Sequence, residues 1–312
     1  MTILYTDPVF LKHETGVHPE NPDRLRAITA RLDSAGLIDR CKKGDVRAIS
    51  ESELLAVHSP DMLAQARNTS AQGGGFLDPD TVVSPESYQV ALTAAGTALA
   101  AVDAVIQGID QHALCLVRPP GHHATPNRSM GFCLFNNIAL AARHAREKHG
   151  LGRVLIVDWD VHHGNGTQDI FYADPAVFFF SIHRYGHGFY PGTGDASETG
   201  TGPGLGHTLN EPIRYGKRRS EYLDRFRLAL ERAANQARPE LILLSAGFDA
   251  HARDPIGSLG LEVEDFATLT GLVRDVAQVH CHGRLVSLLE GGYHLDALAE
   301  SVQAHLEGLL LP

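Results

Sequence analysis

The sequence predicts an α/β fold: three layers, α/β/α, in which a parallel sheet is covered on both faces by helices. Three observations predict it. Short apolar runs rich in β-branched residues recur along the 312-residue chain without polar alternation, as strands buried on both faces do. Helical patterns lie between several of them, and strand–helix alternation builds a parallel sheet. Five of the runs lead directly into polar segments carrying His, Asp or Glu.

Residues 3–5 read as the first strand and 23–35 as a helix. Residues 72–85 (QGGGFLDPDTVVSP) read as a loop, punctuated by Gly and Pro. Residues 86–106 read as a helix. Its longest apolar stretch, 91–102, is interrupted by Thr and Gly and ends at Asp103. That is short of the roughly 20 apolar residues a bilayer span takes. Residues 113–117 read as a strand, 137–149 as a helix, 154–157 and 177–182 as strands. Residues 187–206, rich in Gly, Thr and Pro, read as a second long loop. Then follow a helix at 220–236, a strand at 241–245, a helix at 263–279 and a strand at 285–289. Apolar segments of the same kind flank both loops, so neither reads as a linker, and residues 1–312 are expected to form a single domain.

Composition narrows the function. Lys plus Arg total 27 against 37 Asp plus Glu, a net charge of −10, which argues against a nucleic-acid partner because phosphates need a basic footprint. Residues 1–10 lack a basic n-region and carry Asp7, so no secretory signal is expected. Cys41, Cys115, Cys133 and Cys281 form no CxxC and no disulfide framework, as in a reducing compartment. The expectation is a soluble cytoplasmic protein with no membrane partner. The 18 His are in excess of what composition explains and direct attention to chemistry.

The strand ends supply it. RPPGHH (118–123) follows the strand at 113–117, DWDVHHGNG (158–166) follows 154–157, and His183 follows 177–182. AGFDAH (246–251) follows 241–245, and EGGYH (290–294) follows 285–289. Ligands of open α/β sheets bind outside the carboxyl ends of the strands, so these five segments are expected to converge. Asp158, Asp160 and His162 alternate with Trp159 and Val161, and residues two apart on extended backbone share a side. With Asp249 from another strand end, Asp160 and His162 make a three-ligand set, the pattern of a catalytic metal that keeps a position for water. Carboxylates plus one imidazole suit Zn(II), with Fe(II), Co(II) or Mn(II) as alternatives. The bland reading, Asp158 and Asp160 capping a turn with His162 packed beside it, loses weight because Asp249 and a His pair join them. That pair, His122–His123, fits a site needing a base for water and then an acid for the leaving group. One His can perform both steps while the second holds or tunes it through a carboxylate. Tyr293, in a turn loosened by Gly291 and Gly292, can donate a hydrogen bond to a developing oxyanion. Nucleophilic and phosphate-binding chemistry lack their motifs: there is no GxSxG, no GxGxxG and no Walker pattern, and Cys133 reads as a small core residue.

Taken together, RPPGHHA, MGFCLFNN, DWDVHHGNGTQ, SIHRYG…FYPGTG, SAGFDAHARDP and LEGGYHL resemble the histone deacetylase superfamily, which includes acetylpolyamine amidohydrolases. The likeness runs from HPENPDRL (18–25) to LEGGYHL and is nearest to bacterial enzymes of the class II type. It implies the arginase–deacetylase fold with an eight-stranded, mostly parallel sheet, and a zinc-dependent amidohydrolase. The implied metal ligands are Asp160, His162 and Asp249. The general acid/base is His123, its electrostatic partner His122, their orienting groups Asn165 and Asp158, and the oxyanion donor Tyr293. The acyl-lysine tunnel is implied between Gly131 and Phe132 on one wall and Tyr190 on the other, with Ile256 at the mouth, Gly291 on the substrate side and Asp80 accepting a substrate N–H at the rim. Structural potassium is implied at Asp158, Asp160, His162, Ser181 and Ile182, and at a second site with Phe171, Asp174 and Val177. The implied partner is an acylated lysine peptide or protein, or an acylated amine, and self-association into a homo-oligomer stays open. Three competitors remain. An arginase-like ureohydrolase needs DxHxD, and Gly164 stands where the second Asp would be. An acetylpolyamine amidohydrolase is disfavoured by apolar Ile256 and kept alive by Asp78 and Asp80. A metal-binding scaffold would lack the chemistry that these residues spell out.

Overall fold

The structure, a computed structural model, describes residues 1–186 and 188–311, so the loop expected over 187–206 begins at a residue outside the described ones. The first half of the chain runs β1 (Thr2–Tyr5), α1 (Asp23–Ser34), β2 (Lys42–Lys43), α2 (Glu51–Leu54), α3 (Pro60–Ala71), β3 (Gly75–Asp78), β4 (Thr81–Val83), α4 (Ser87–Ile106), β5 (His112–Cys115) and α5 (Asn137–Glu147). The second half runs β6 (Val154–Asp158), α6 (Asn165–Phe171), β7 (Val177–Arg184), β8 (Thr208–Ile213), α7 (Arg219–Ala237), β9 (Leu241–Ala246), α8 (Val263–Cys281), β10 (Leu285–Leu289) and α9 (Leu295–Leu310).

Eight strands form one sheet in the order β2-β1-β5-β10-β9-β6-β7-β8, and every neighbouring pair is parallel. Helices α4 and α5 pack on one face, and α1, α9, α8 and α7 on the other, which gives the expected three layers. All six strands expected from apolar runs are present. The two that were missed are the sheet's edges. β2 is a pair of exposed lysines, and β8 (TLNEPI) alternates in burial and carries Pro212. Charge and proline suit an edge, where unpaired backbone must be kept from further pairing, and they erase the apolar signature of a buried strand. Residues 72–85, expected as loop, contain the antiparallel hairpin β3–β4.

The stretch 91–102 proves to be part of a longer helix. α4 has 20 residues, and its most apolar 18 have a mean hydropathy of 1.6, long and apolar enough by composition to cross a bilayer, which corrects the expectation that it was too short. Most of it is buried between α5, α3 and the sheet, so a core helix accounts for its apolarity. Several helix starts carry their own caps: Ser50 and Glu53 close a capping box on α2, Ser59 caps α3, and the Asn136 side chain accepts from Ala139 N–H on α5.

The strand order decides where the chemistry goes. The five motif-bearing strands, β5, β10, β9, β6 and β7, are contiguous in the middle of the sheet and point the same way. Their carboxyl ends therefore meet along one edge.

Candidate metal and catalytic site

Asp158 ends β6, and the chain then turns so that short backbone bonds lock the following ligands. Asp158 Oδ1 accepts from Asp160 N–H (3.1 Å), and Asp160 Oδ1 from His162 N–H (2.9 Å). Asp249, just beyond β9, accepts from Val161 N–H through Oδ1 (2.9 Å). Its Oδ2 lies 3.2 Å from His162 Nδ1, which is 3.1 Å from Asp160 Oδ1. The ligand atoms of Asp160, His162 and Asp249 all lie within 4.8 Å of one another and are buried. Burial and the charge of Asp160 push the Asp249 carboxyl up to about 7. Burial opposes charge on His162, yet Asp160 and Asp249 raise it to about 9. Two buried carboxylates this close repel each other, and a divalent cation would relieve that repulsion. The donor set fits zinc.

Two glycines make room for it. A Cβ on Gly291 would collide with the carboxylates of Asp249 and Asp160, and one on Gly247 with Asp160. Gly291 N–H instead donates to Asp160 Oδ2 (2.8 Å). Gly291, expected on the substrate side, is absent from the cavity lining and serves the metal ligands.

The His pair sits above this set. His122 Nδ1 is 2.9 Å from Asp158 Oδ2, and His123 Nδ1 is 2.7 Å from Asn165 Oδ1. The Asn165 carbonyl oxygen only accepts, so His123 carries its proton on Nδ1 and its Nε2 is left as a base. The two imidazoles then diverge. Burial disfavours charge on both, but Asp158 and Asp160 raise His122 well above the usual range. In His123 burial is reinforced by the neighbouring positive His122, and its proton affinity falls well below normal. The pair is a cation beside a neutral base, with ring centroids 4.0 Å apart.

A cavity of about 220 Å³ opens onto them, lined by Asp80, His123, Gly131, Phe132, His162, Tyr190, Ile256 and Tyr293. The tunnel residues expected from sequence are thus brought together, Gly291 excepted. Gly131 and Phe132 both have positive φ, 57° and 67°, a strained turn that presses the Phe132 ring into the wall. That ring meets His18 and Tyr293 edge-on. Asp80 Oδ1 accepts from Gly131 N–H (3.2 Å) and Thr81 Oγ1 (2.9 Å), so the hairpin holds the wall. Asp78 is paired with Arg128. Tyr190 lines the cavity, and its buried hydroxyl has no hydrogen-bond partner among the described residues.

The potassium residues fall in two places. Asp158, Asp160, His162, Ser181 and Ile182 cluster at the ends of β6 and β7, with Ser181 opposite Asp158 in register. Phe171, Asp174 and Val177 lie between α6 and β7. There the Asp174 carboxylate is held by Arg143 (2.9 Å) and Arg146 (2.8 Å), so a cation would have to draw on other atoms.

Sequence reasoning missed the residues that hold the site still. Glu290 Oε2 accepts from Gly121 and His122 N–H (2.8 and 3.2 Å), and Oε1 from Ser245 Oγ (2.9 Å), tying β10 to the His pair. Asp254 accepts from Tyr293, Ile256 and Gly257 N–H. Arg24 donates to the carbonyls of Glu290 and Gly292 and lies over the Tyr293 ring. Phe189 stacks flat on His162 at 5.0 Å. Glu290 and Phe189 lie inside quoted motifs, but nothing local marks a carboxylate or ring as a brace.

Comparison with known proteins finds several relatives of the chain. The family model of the histone deacetylase domain matches residues 18–309. A Homo sapiens protein described as polyamine deacetylase HDAC10 is 46% identical over 301 residues, covering 93% of this chain and 44% of that protein. The chain therefore spans less than half the length of that relative. A histone deacetylase-like amidohydrolase of Pseudomonas aeruginosa is 41% identical, covering 88% of this chain and 72% of that protein. A crystal structure of the HDA15 HD domain superposes with a TM-score of 0.94 at 38% identity, covering 99% of this chain and 88% of that one.

Proposed function

The chain belongs to the histone deacetylase family, and from that premise we propose that it is a zinc-dependent amidohydrolase removing acetyl or related acyl groups from lysine side chains of proteins or peptides. The observation that carries the reading is a neutral base, His123, and a phenol, Tyr293, lining one cavity of about 220 Å³ together with His162 of the buried ligand set. In this reading residues 1–312 act as one catalytic domain.

Zinc held by Asp160, His162 and Asp249 would supply Lewis acidity to the amide carbonyl and to water. The remaining chemistry belongs to the chain. His123 Nε2 takes a proton from the attacking water, and later returns it to the departing amine nitrogen. The positive charge that Asp158 maintains on His122 keeps His123 free of a proton at rest. Tyr293 donates its hydroxyl proton in a hydrogen bond to the carbonyl oxygen as charge builds, a contribution of about 3 kcal/mol for one such donor. Phe132 and Tyr190 flank the aliphatic chain, and Asp80 at the rim accepts a substrate N–H. The products are a carboxylic acid and a free amine. Potassium at Asp158, Asp160, His162, Ser181 and Ile182 belongs to the same proposal as a structural ion.

A second substrate class, acetylated polyamines, is favoured by one observation: Asp80 lines the cavity and, among the described residues, has no ion pair, whereas Asp78 is neutralised by Arg128. Apolar Ile256 weighs toward lysine peptides. The test is an assay of purified protein, with and without a chelator, on acyl-lysine peptides and acetylated polyamines. The expected outcome is hydrolysis abolished by chelator and restored by zinc, with peptides turned over faster. Faster turnover of polyamines would favour the second class. No chelator-sensitive hydrolysis of any member would overturn the enzyme reading in favour of a scaffold.

A further inference from the structure

Among the described residues one other group of ligand atoms converges as closely as the set under the cavity. Asp103 lies in the last turn of α4, His144 in the last turn of α5, and His149 just beyond α5. His144 Nε2 and His149 Nε2 lie 2.7 and 2.6 Å from the same atom, Asp103 Oδ1. All three ligand atoms fall within 4.8 Å of one another. The imidazole planes are inclined at 77° with centroids 5.6 Å apart, so the two nitrogens approach from different directions, as ligands around one ion must.

The surroundings favour a cation. α4 and α5 both end here, and helix C-termini present the negative end of their dipoles. A cation already stands at the site: Lys148 Nζ is 2.9 Å from Asp103 Oδ2. Its side chain is 53% exposed and free to swing out, whereas those of Asp103, His144 and His149 are 19, 6 and 14% exposed. Two imidazoles and one carboxylate suit a borderline divalent ion and offer little to calcium or magnesium, which take oxygen ligands.

We propose that Asp103, His144 and His149 form an auxiliary zinc site that staples the C-terminal ends of α4 and α5, with Lys148 as its built-in competitor. Both helices lead into the amino ends of their following strands, β5 and β6. The site therefore lies at the edge of the sheet opposite the catalytic cavity and is independent of the deacetylase reading.

The test is zinc stoichiometry of the full chain, measured against a chromophoric chelator with zinc chloride as the probe. The expected result is a second equivalent bound by the wild type, lost in His149→Ala and His144→Ala, and tightened about tenfold in Lys148→Ala by removal of the like charge. Hydrolytic activity of His149→Ala should be unchanged, and the second equivalent should raise the melting temperature of the wild type but not of that variant. The same zinc stoichiometry in the wild type and in His149→Ala, at about tenfold excess zinc, overturns the proposal whatever the catalytic set binds. Should His144→Ala fail to fold, His149→Ala and Lys148→Ala, at less buried positions, still decide it.

Discussion

A neutral imidazole offers one donor and one acceptor, and many histidines of this chain use both for structure. His58 Nδ1 donates to the Thr125 carbonyl while Nε2 accepts from Asn136 N–H, both at 2.9 Å. His294, inside the EGGYH segment, caps α9 by accepting from Ala297 N–H. His163 and His183 bridge to Thr193, Gln168, Ser181 and the Gly194 carbonyl. Among the described residues, His122, His123 and His162 stand at the candidate reacting end, and the motif chemistry ranks them above the other histidines of the same segments. The roles of two neighbouring residues separate by experiment. Tyr293→Phe is expected to lower turnover at least about tenfold with metal content unchanged, since it removes one oxyanion donor. Gly291→Ala is expected to lose the metal itself, because its Cβ meets the Asp249 and Asp160 carboxylates. Metal analysis of the two purified variants checks both, and a Gly291→Ala protein with full metal content would refute the packing argument. The ligands were legible because their chemistry is carried by residue type. Gly291's service to them was not, because it depends on a contact across strands.

The turn after β10 shows what an element adds. Gly291 N–H is tied to Asp160, Tyr293 N–H to Asp254, and the carbonyls of Glu290 and Gly292 to Arg24. Tyr293 is thereby held in place before substrate arrives, which is what an oxyanion donor requires. Asp254 links that turn to Ile256 at the cavity mouth, since one carboxylate accepts from both backbones. Asp254→Asn turns one acceptor into a donor and is expected to lower kcat roughly tenfold while metal content holds. If it acts through Tyr293, its effect shrinks in the Tyr293→Phe background, so the double-mutant cycle is the measurement. Full additivity would assign Asp254 a merely structural role. The periodicity that marked the six central strands carried no sign of this bracing, and it failed outright at the edges, where β2 and β8 are polar for reasons of edge protection.

Over the whole molecule, buried charge and buried neutral histidines set the response to acid. Burial alone would raise Glu20, but Arg118, His13 and Arg24 outweigh it and hold its carboxyl down at about 2. A depressed carboxyl stabilises the fold fully above its unfolded value and loses that contribution as pH falls toward 2. Burial lowers His58 to about 4 and His305 to about 3. The unfolded chain binds protons at these histidines first, so stability falls as pH drops below about 6.5, on the order of 1–2 kcal/mol for each by pH 5. The melting temperature is therefore expected to be lower at pH 5 than at pH 7.5, and His58→Gln, which removes the titrating group, should narrow the gap. A wider gap in that variant would count against the assignment. By itself the sequence determined the layer architecture, the six central strands and the candidate cluster of Asp160, His162 and Asp249 beside the His pair. These follow from side-chain type and local periodicity, which any chain carries in its own order. Only the tertiary structure decided that the five motif-bearing strands are neighbours, that Glu290 and Asp254 brace the His pair and Tyr293, and that Asp103 meets His144 and His149. Strand order and helix packing are set by how surfaces fit across the whole core, and such contacts join residues far apart in the chain.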